Sequence, residues 1–258
     1  MAEGPAREAA PYHLDWCDGL ALVRLTCGKA NALNPRSLGA IERALDEVAG
    51  RGARGLVLTG YERFFSAGLD LVTLYGLERD AMDGFIAWFD AVMLRVFVFP
   101  RPVVAAVGGH AVAGGAVLAL ACDARVMGAG AGRFGLNEIR LGVPFPASAL
   151  EIVRNAVPAG SVEQVLYGGE LFDPREALAR GLVTEVVNGD TVEAARQICA
   201  QLAAAPTGAF ETIKTALKGA AVERARATLA PLRRAFVDAW YAPEARRRIG
   251  EARVRLGG

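Results

Sequence analysis

The sequence has few of the residues that metal sites and nucleophilic relays need. Its 258 residues include only two histidines, His13 and His110, and four cysteines. Two histidines argue against a histidine metal site or a Ser-His-Asp relay, and no serine lies in a G-x-S-x-G elbow. The cysteines lack metal-ligand spacing. We therefore expect no bound metal and four reduced thiols in a cytoplasmic protein, three of them in apolar surroundings.

Strong charge and a clear membrane segment are also missing. A net charge of +1 with 22% charged residues gives no electrostatic reason to expect nucleic acid or a membrane surface as a partner. The stretch 1–11 has no apolar h-region, so we expect a loose tail rather than a secretory signal. The stretch 103–122 is twenty residues without a formal charge, long enough to span a bilayer. Its four glycines instead favour a strand, a glycine turn and a helix.

Apolar and periodic segments alternate along the chain, which predicts the α/β class. Strands are predicted at 20–26, 55–59, 103–107, 124–127 and 182–187. Helices are predicted at 37–49, 78–98, 115–121, 147–155, 161–167 and 174–180. From residue 206 the chain is nearly all helical, with Pro231 and Pro243 as expected helix boundaries. We therefore predict a core at 1–205 and a C-terminal helical region at 206–258.

Two glycine-containing stretches each follow an apolar run of predicted strand. The first is FFSAGLDL at 64–71, and the second is GGHAVAGG at 108–115, which also opens an apolar helix. Glycines at such junctions let backbone N–H groups face a ligand. Two N–H groups that converge from two loops would stabilise a developing oxyanion. A third segment, GLNE at 135–138, places the carboxylate of Glu138 where it can serve them.

Together with the loop ANAL at 30–33 and the segment AGG…ACD at 113–123, these motifs resemble the enoyl-CoA hydratase/isomerase (crotonase) superfamily. The order and spacing match from about Leu20 to Val187. The resemblance implies a spiral of repeated strand-strand-helix units, with C-terminal helices that mediate trimers or dimers of trimers. It also implies an acyl-CoA thioester substrate, in which coenzyme A is part of the substrate and no separate cofactor is needed.

The resemblance assigns roles to individual residues. It implies that the N–H groups of Leu69 and Gly114 bind the thioester oxygen, the second at a helix N-terminus whose dipole adds to the effect. It implies that Glu138 is the catalytic acid/base. The substrate-binding positions that it implies are Ala30, Ala32, Leu33, Ala67, Gly68, Leu69, Asp70, Leu71, Gly114 and Val117.

One position departs from the family hydratases. Those enzymes place a glutamate three residues after the oxyanion-hole glycine, where this chain has Val117, and a second one at the position of Glu138. Hydration of a double bond needs two carboxylates, whereas a shift from C3–C4 to C2–C3 needs one base that also returns the proton. The lone Glu138 resembles the pattern of 3,2-trans-enoyl-CoA isomerases. An apolar pocket would raise its pKa above the ordinary value of about 4.3.

Two other functions stay open. One is another crotonase-type reaction, such as weak hydration or decarboxylation, that uses the same oxyanion trap. The other is a non-catalytic member that binds acyl-CoA or acts as a scaffold. Brisk hydration of crotonyl-CoA would favour the first, and tight acyl-CoA binding without turnover would favour the second.

Several polar residues have a structural interpretation beside a functional one. We expect Asp70 and Asp123 to accept hydrogen bonds from nearby backbone N–H groups. His110 is expected to be packed and hydrogen-bonded, with a place in the acyl pocket as the alternative. Lys29 and the basic cluster 246–255 are expected on solvated surfaces, with phosphate contacts, or a subunit contact for the cluster, as alternatives. Aromatic residues at 236–241 should pack on the main body or on another protomer.

Overall fold

Strands and helices alternate along residues 10–257, the part of the chain that the computed structural model describes. The strands are β1 (Tyr12–Cys17), β2 (Leu20–Leu25), β3 (Gly55–Thr59), β4 (Phe64–Ser66), β5 (Val103–Val107), β6 (His110–Val112), β7 (Ala124–Gly128), β8 (Phe134–Gly135), β9 (Leu171–Phe172) and β10 (Glu185–Val187). The helices are α1 (Pro35–Gly50), α2 (Leu71–Leu74), α3 (Arg79–Phe97), α4 (Gly114–Ala121), α5 (Glu138–Leu141), α6 (Ala147–Ala156), α7 (Ala159–Gly168), α8 (Pro174–Ala179), α9 (Thr191–Ala203), α10 (Thr207–Tyr241) and α11 (Pro243–Gly257).

The larger sheet has six strands in the order β1-β2-β3-β5-β7-β10. Its neighbours are parallel except β1 and β2, which pair antiparallel. Every residue of β3 and β5 is buried, as expected for strands that are covered on both faces. Helix α9 covers one face, and the main core covers the other. The sequence analysis did not predict β1, although every second residue of this strand is partly shielded from solvent, the alternation typical of a strand with one covered face.

The smaller sheet positions the three motifs. Its order is β4-β6-β8-β9, and β4, β6 and β8 are parallel neighbours. Each of β4, β6 and β8 follows a strand of the larger sheet and precedes a helix, which gives the repeated strand-strand-helix units that the resemblance implies. Since the carboxyl ends of parallel neighbours meet at one edge, the segments at 67–71, 113–115 and 136–138 come together there. The sequence analysis did not predict these strands, because two or three residues are too few to show a periodic pattern.

Helix α10 corrects one prediction about the C-terminal region. Pro231 was expected to end a helix, yet α10, which is 35 residues long, continues through it. Proline cannot donate to the carbonyl of Ala227, but both residues are exposed, so water can satisfy that carbonyl. Pro243 does begin α11, as predicted. The division of the chain at residues 205 and 206 stays a prediction.

The C-terminal helices pack on the body of the same chain. Helix α10 contacts α3 and α6, and α11 contacts α2 and α5. Phe236 and Trp240 are almost fully buried, so they pack against the main body, which was one of the two expected surroundings. Within residues 10–257 no helix is both long enough and apolar enough to cross a bilayer.

A buried ion cluster ties α10 to the start of β5. The Asp123 carboxylate accepts hydrogen bonds from the Val103 amide and from the ammonium groups of Lys214 and Lys218, at 2.7 to 2.8 Å. Asp123 is therefore a structural acceptor, as predicted. Burial lowers the pKa of Lys214 to about 8 despite this partner.

The cysteines also behave as the composition suggested. All four are free thiols, three of them buried, and burial raises the pKa of both Cys122 and Cys199 to about 12. The tail expected at 1–11 lies, up to residue 9, outside the described residues.

Candidate active site

A cavity of about 550 Å³ opens at the edge where β4, β6 and β8 end. The loop after β4 contributes Ala67, Leu69 and Leu71 to its walls, and the turn after β6 contributes Ala113. The loop after β8 contributes Glu138. The three sequence motifs therefore converge on one mostly apolar space.

The two glycine turns touch each other beside this cavity. Gly68 has a φ of +82°, and a methyl group on it would lie 2.7 Å from the Val112 carbonyl oxygen and 3.1 Å from the Gly114 nitrogen. Ala113 has φ 51° and ψ −126°, the first central position of a type II′ turn, where glycine is preferred. The alanine is strained there, and the turn directs the backbone into α4 at Gly114.

The amides of Leu69 and Gly114 make no backbone hydrogen bond among residues 10–257, although their neighbours do. The Asp70 amide donates to the Leu33 carbonyl at 2.9 Å, and the Ala113 amide donates to the Gly135 carbonyl at 2.8 Å. Gly114 is the first residue of α4, so no intrahelical carbonyl is in reach of its amide. Two adjacent loops thus each have one N–H group without a backbone partner among the described residues, and an oxyanion hole needs donors of this kind.

Backbone hydrogen bonds connect the loop at 30–33 to the turn that contains Gly68. The Ala67 amide donates to the Ala30 carbonyl at 3.0 Å, and the Leu33 amide donates to the Gly68 carbonyl at 2.7 Å. Asn31 fixes the loop itself, since its side chain accepts from the Cys27 amide at 2.7 Å. Ala30 and Leu33 therefore position the glycine turn through their backbones.

Glu138 has the environment of a proton-transfer group. It begins α5 and is only 8% exposed, and its Oε2 atom has no hydrogen-bond partner among the described residues. Burial raises the pKa of this carboxyl to about 8, and the hydrogen bond from its own backbone amide offsets only part of that rise. A carboxyl with this pKa can both release and take up a proton near neutral pH.

Only some of the predicted site residues line the cavity. Those that do are Ala67, Leu69, Leu71 and Glu138. The side chain of Val117 is fully buried within the core, so no carboxylate enters the cavity from α4. The other predicted positions are not among the lining residues: Ala30, Ala32, Leu33, Gly68, Asp70, Gly114 and Val117.

Asp70 has a structural role, as predicted. Its carboxylate caps α2 by accepting from the amides of Val72 and Thr73, and it accepts further hydrogen bonds from the Thr73 hydroxyl and the Asn34 side chain. Burial alone would raise the pKa of Asp70, but these hydrogen bonds lower it below its usual range.

His110 is packed, as predicted. Its Nδ1 atom accepts from the Arg133 amide at 3.1 Å, and its ring lies 5.1 Å from the ring of Phe64. Burial and the neighbouring Arg63 and Arg133 lower its pKa. His110 is not among the residues that line the cavity, and Lys29 is exposed and also outside it.

Helices α10 and α11 form a wall of the cavity that the sequence analysis did not assign to the site. Phe236 and Trp240 give it an apolar floor. The cavity-facing residues of α11 are Arg247, Arg248, Glu251, Ala252 and Arg255. Spacings of three and four residues between 248, 251, 252 and 255 place them on one helix face, a periodicity that the sequence itself contains.

Arg246 anchors α11 to Tyr75 beside this wall. Its guanidinium lies 3.5 Å from the centre of the Tyr75 ring, and its Nη1 donates to the Tyr75 carbonyl at 3.0 Å. Arg253 stacks on the same ring at 4.4 Å. The basic cluster is therefore not simply a solvated face, since two of its arginines anchor the helix and three line the cavity.

Known proteins are similar to this chain over most of its length. A family model described as "Enoyl-CoA hydratase/isomerase" matches residues 17–248. A Thermus thermophilus protein named "Putative enoyl-CoA hydratase" is 39% identical over 185 residues, 69% of this chain and 72% of that protein. Mouse "Enoyl-CoA delta isomerase 1, mitochondrial" is 32% identical over 209 residues, 80% of this chain and 72% of that protein.

A solved structure is also closely similar. Human mitochondrial delta3-delta2-enoyl-CoA isomerase superimposes with a TM-score of 0.91 at 26% sequence identity, covering 96% of this chain and 98% of the human one. The matched region includes all three loops around the cavity and most of the C-terminal helices. This chain therefore belongs to the enoyl-CoA hydratase/isomerase family.

Proposed function

We propose that the protein is an enoyl-CoA isomerase, which converts 3-enoyl-CoA thioesters to 2-enoyl-CoA thioesters with Glu138 as the single acid/base. The observation on which this rests is a buried carboxyl with a pKa of about 8 that lines the cavity, while a fully buried valine, Val117, occupies the position of the second hydratase glutamate. The similarity to the mouse and human isomerases supports the same reaction.

The proposed steps need only groups already described. The Glu138 carboxylate removes a proton from C2, and the electron pair moves toward the thioester carbonyl to form a dienolate. The N–H groups of Leu69 and Gly114 donate to the negatively charged oxygen, each contributing about 3 to 4 kcal/mol to the transition state. The protonated Glu138 then returns the proton at C4, which leaves the double bond between C2 and C3.

Hydration is the second candidate, and two observations favour it. The Thermus relative is named as a hydratase. A second carboxylate, Glu251 of α11, also lines the cavity. However, Glu251 is 53% exposed, and its Oε1 atom is ion-paired with Arg247 Nη1 at 2.7 Å. A solvated, paired carboxylate on a surface helix is less suited to deliver a proton to carbon than the buried Glu138.

One assay separates the two reactions. Purified protein is supplied with 3-enoyl-CoA thioesters, and formation of the conjugated 2-enoyl product is followed by ultraviolet absorbance. Hydration of crotonyl-CoA is measured in parallel, as the loss of absorbance of its conjugated double bond. Isomerase activity at least a hundredfold above hydratase activity supports the proposal, and the reverse ratio contradicts it. Tight acyl-CoA binding without either reaction would indicate the non-catalytic alternative.

We also propose that the protein works in the cytoplasm as a homotrimer or a dimer of trimers. Ile213 and Leu217 of α10 support an assembly, because they lie one turn apart on the same face and are 59% and 70% exposed. Exposed apolar pairs of this kind are typical of subunit contacts. Sedimentation velocity measures the mass, and a monomer at micromolar concentration would contradict the proposal.

A further inference from the structure

A second apolar space lies on the other side of the loop that holds Glu138. It is a groove of about 510 Å³ with mostly hydrophobic walls, to which Arg154 and Glu163 also contribute. Phe145 follows the loop, Leu150 comes from α6, and Val162, Leu166 and Tyr167 come from α7. Tyr167 is 69% exposed, so the groove opens to the surface. Neither the family resemblance nor the proposed reaction gives this groove a role.

Val143 separates the groove from the catalytic cavity. Among residues 10–257 it is the one residue that lines both spaces, and it is 5% exposed. Its position is fixed relative to the base, since its amide donates to the Glu138 carbonyl at 3.3 Å. The preceding Gly142 is left-handed, with φ 80°, and ends α5 so that the chain turns Val143 inward.

We propose that Val143 determines the length of acyl chain that the enzyme accepts, by closing the catalytic cavity toward the apolar groove. This inference rests on the proposed function, because it takes an acyl-CoA thioester as the ligand. An acyl chain that reaches the cavity wall meets a valine side chain, and behind it lies an apolar space of nearly the same size. Removing the two methyl groups of Val143 would join the two spaces, and the distal methylenes would then be buried in the groove.

The expected effect follows from hydrophobic transfer. Each additional buried methylene strengthens binding about fourfold. In the wild type, kcat/KM should rise with chain length until the cavity is filled and then stay level or fall. In Val143→Ala, kcat/KM should continue to rise with chain length. For the longest thioester it should exceed the wild-type value at least tenfold, and for the shortest thioester it should not.

The test uses 3-enoyl-CoA thioesters of graded length with the purified full-length protein. Val157→Ala is the matched control, because Val157 is 3% exposed and lines neither space. Val143→Leu is the opposite change and should shift the preference toward shorter chains, which keeps the test decisive if Val143→Ala folds poorly. Equal effects of Val143→Ala on all chain lengths, or the same profile in the Val157→Ala control, would overturn the proposal.

A double variant tests the groove itself. Val162 lines the groove and not the cavity, so Val143→Ala/Val162→Asn should lose the gain for long chains and keep the rate for short ones. If Val162→Asn changes the sedimentation coefficient and leaves the chain-length profile of Val143→Ala unaltered, the groove contacts a second copy of the chain instead, and the proposal fails.

The same series can be measured without turnover. Dissociation constants of saturated acyl-CoA thioesters should show the same dependence on length at position 143. A protein that isomerises no 3-enoyl-CoA but shows this dependence would contradict the proposed function and support the role of Val143. An active isomerase whose dissociation constants do not depend on chain length in this way would support the proposed function and contradict the role of Val143.

Discussion

Gly68 and Gly114 lie close together: a methyl group on Gly68 would lie 3.1 Å from the Gly114 nitrogen. The two residues are far apart in sequence and belong to different repeats of the fold. Parallel pairing of β4 with β6 brings their turns together. The separation of the two amides that we propose as oxyanion donors is therefore fixed by the small sheet rather than by either loop alone.

Gly68→Ala should damage both stability and activity. The alanine would have to adopt a φ of +82° and would contact the Val112 carbonyl and the Ala113 side chain. We expect a loss of about 2 to 3 kcal/mol in the free energy of unfolding, together with a large fall in kcat. Chemical denaturation measures the first and the isomerase assay the second. Gly76→Ala is the matched control, because nothing lies within 4 Å of a methyl group there; an equal loss in both variants would refute the argument.

Glu138→Gln should remove the acid/base and keep the cavity. The amide has the same shape and cannot exchange a proton with C2 and C4, so kcat should fall at least about a hundredfold. The dissociation constant of a saturated acyl-CoA should stay within about twofold of the wild type, as for any change that only affects the transition state. Glu185→Gln, at an exposed residue of β10, serves as the control. An unchanged kcat would exclude Glu138 from the mechanism.

The raised pKa of Glu138 predicts a specific pH dependence. The reaction begins with the carboxylate, so kcat/KM should rise with pH and level off above about 8. Stability should change in the opposite direction. The folded carboxyl keeps its proton up to about pH 8, whereas the unfolded one loses it in its ordinary acidic range. The free energy of unfolding should therefore fall as the pH rises from that range to about 8.

Glu138→Gln should abolish this fall in stability, which denaturation curves of the two proteins across the pH range can test. A wild-type activity profile that is already level at pH 6 would show that the carboxyl titrates in its ordinary range.

Val117→Glu should add hydratase activity. The variant supplies the carboxylate that family hydratases have at this position, near the turn that contains the Gly114 amide. We expect hydration of crotonyl-CoA to increase by at least about tenfold, the lower part of the range for one acid/base group. Val117→Gln controls for burial of a polar side chain without the charge. A folded Val117→Glu protein with no gain over Val117→Gln would contradict the two-carboxylate argument.

Arg246→Ala should loosen α11 from the cavity. The change removes both the stacking on Tyr75 and the hydrogen bond to its carbonyl, worth about 1 to 2 kcal/mol together. Because α11 forms a wall of the cavity and holds none of the reacting groups, we expect a higher KM with kcat nearly unchanged. Arg234→Ala is the control, since Arg234 is exposed and has no hydrogen bond or ion pair among residues 10–257. A fall in kcat alone would argue against this role.

The sequence by itself determined the family, the three loops and the identity of the acid/base candidate. These features are encoded locally. Glycine at position 68 is required by a backbone conformation, a continuous apolar run such as 103–107 specifies a buried strand, and Val117 shows directly that one carboxylate is missing. Each of these signals depends on a few neighbouring residues, so no tertiary information is needed to recognise it.

The tertiary structure alone decided how the site is enclosed. The raised pKa of Glu138 depends on its burial, which follows from side chains distant in sequence. The wall formed by α10 and α11 depends on where Phe236, Trp240 and the arginines lie after α10 runs through Pro231 and α11 turns back. Long-range packing fixes these relationships, and no local pattern of residues specifies which surface a C-terminal helix will cover.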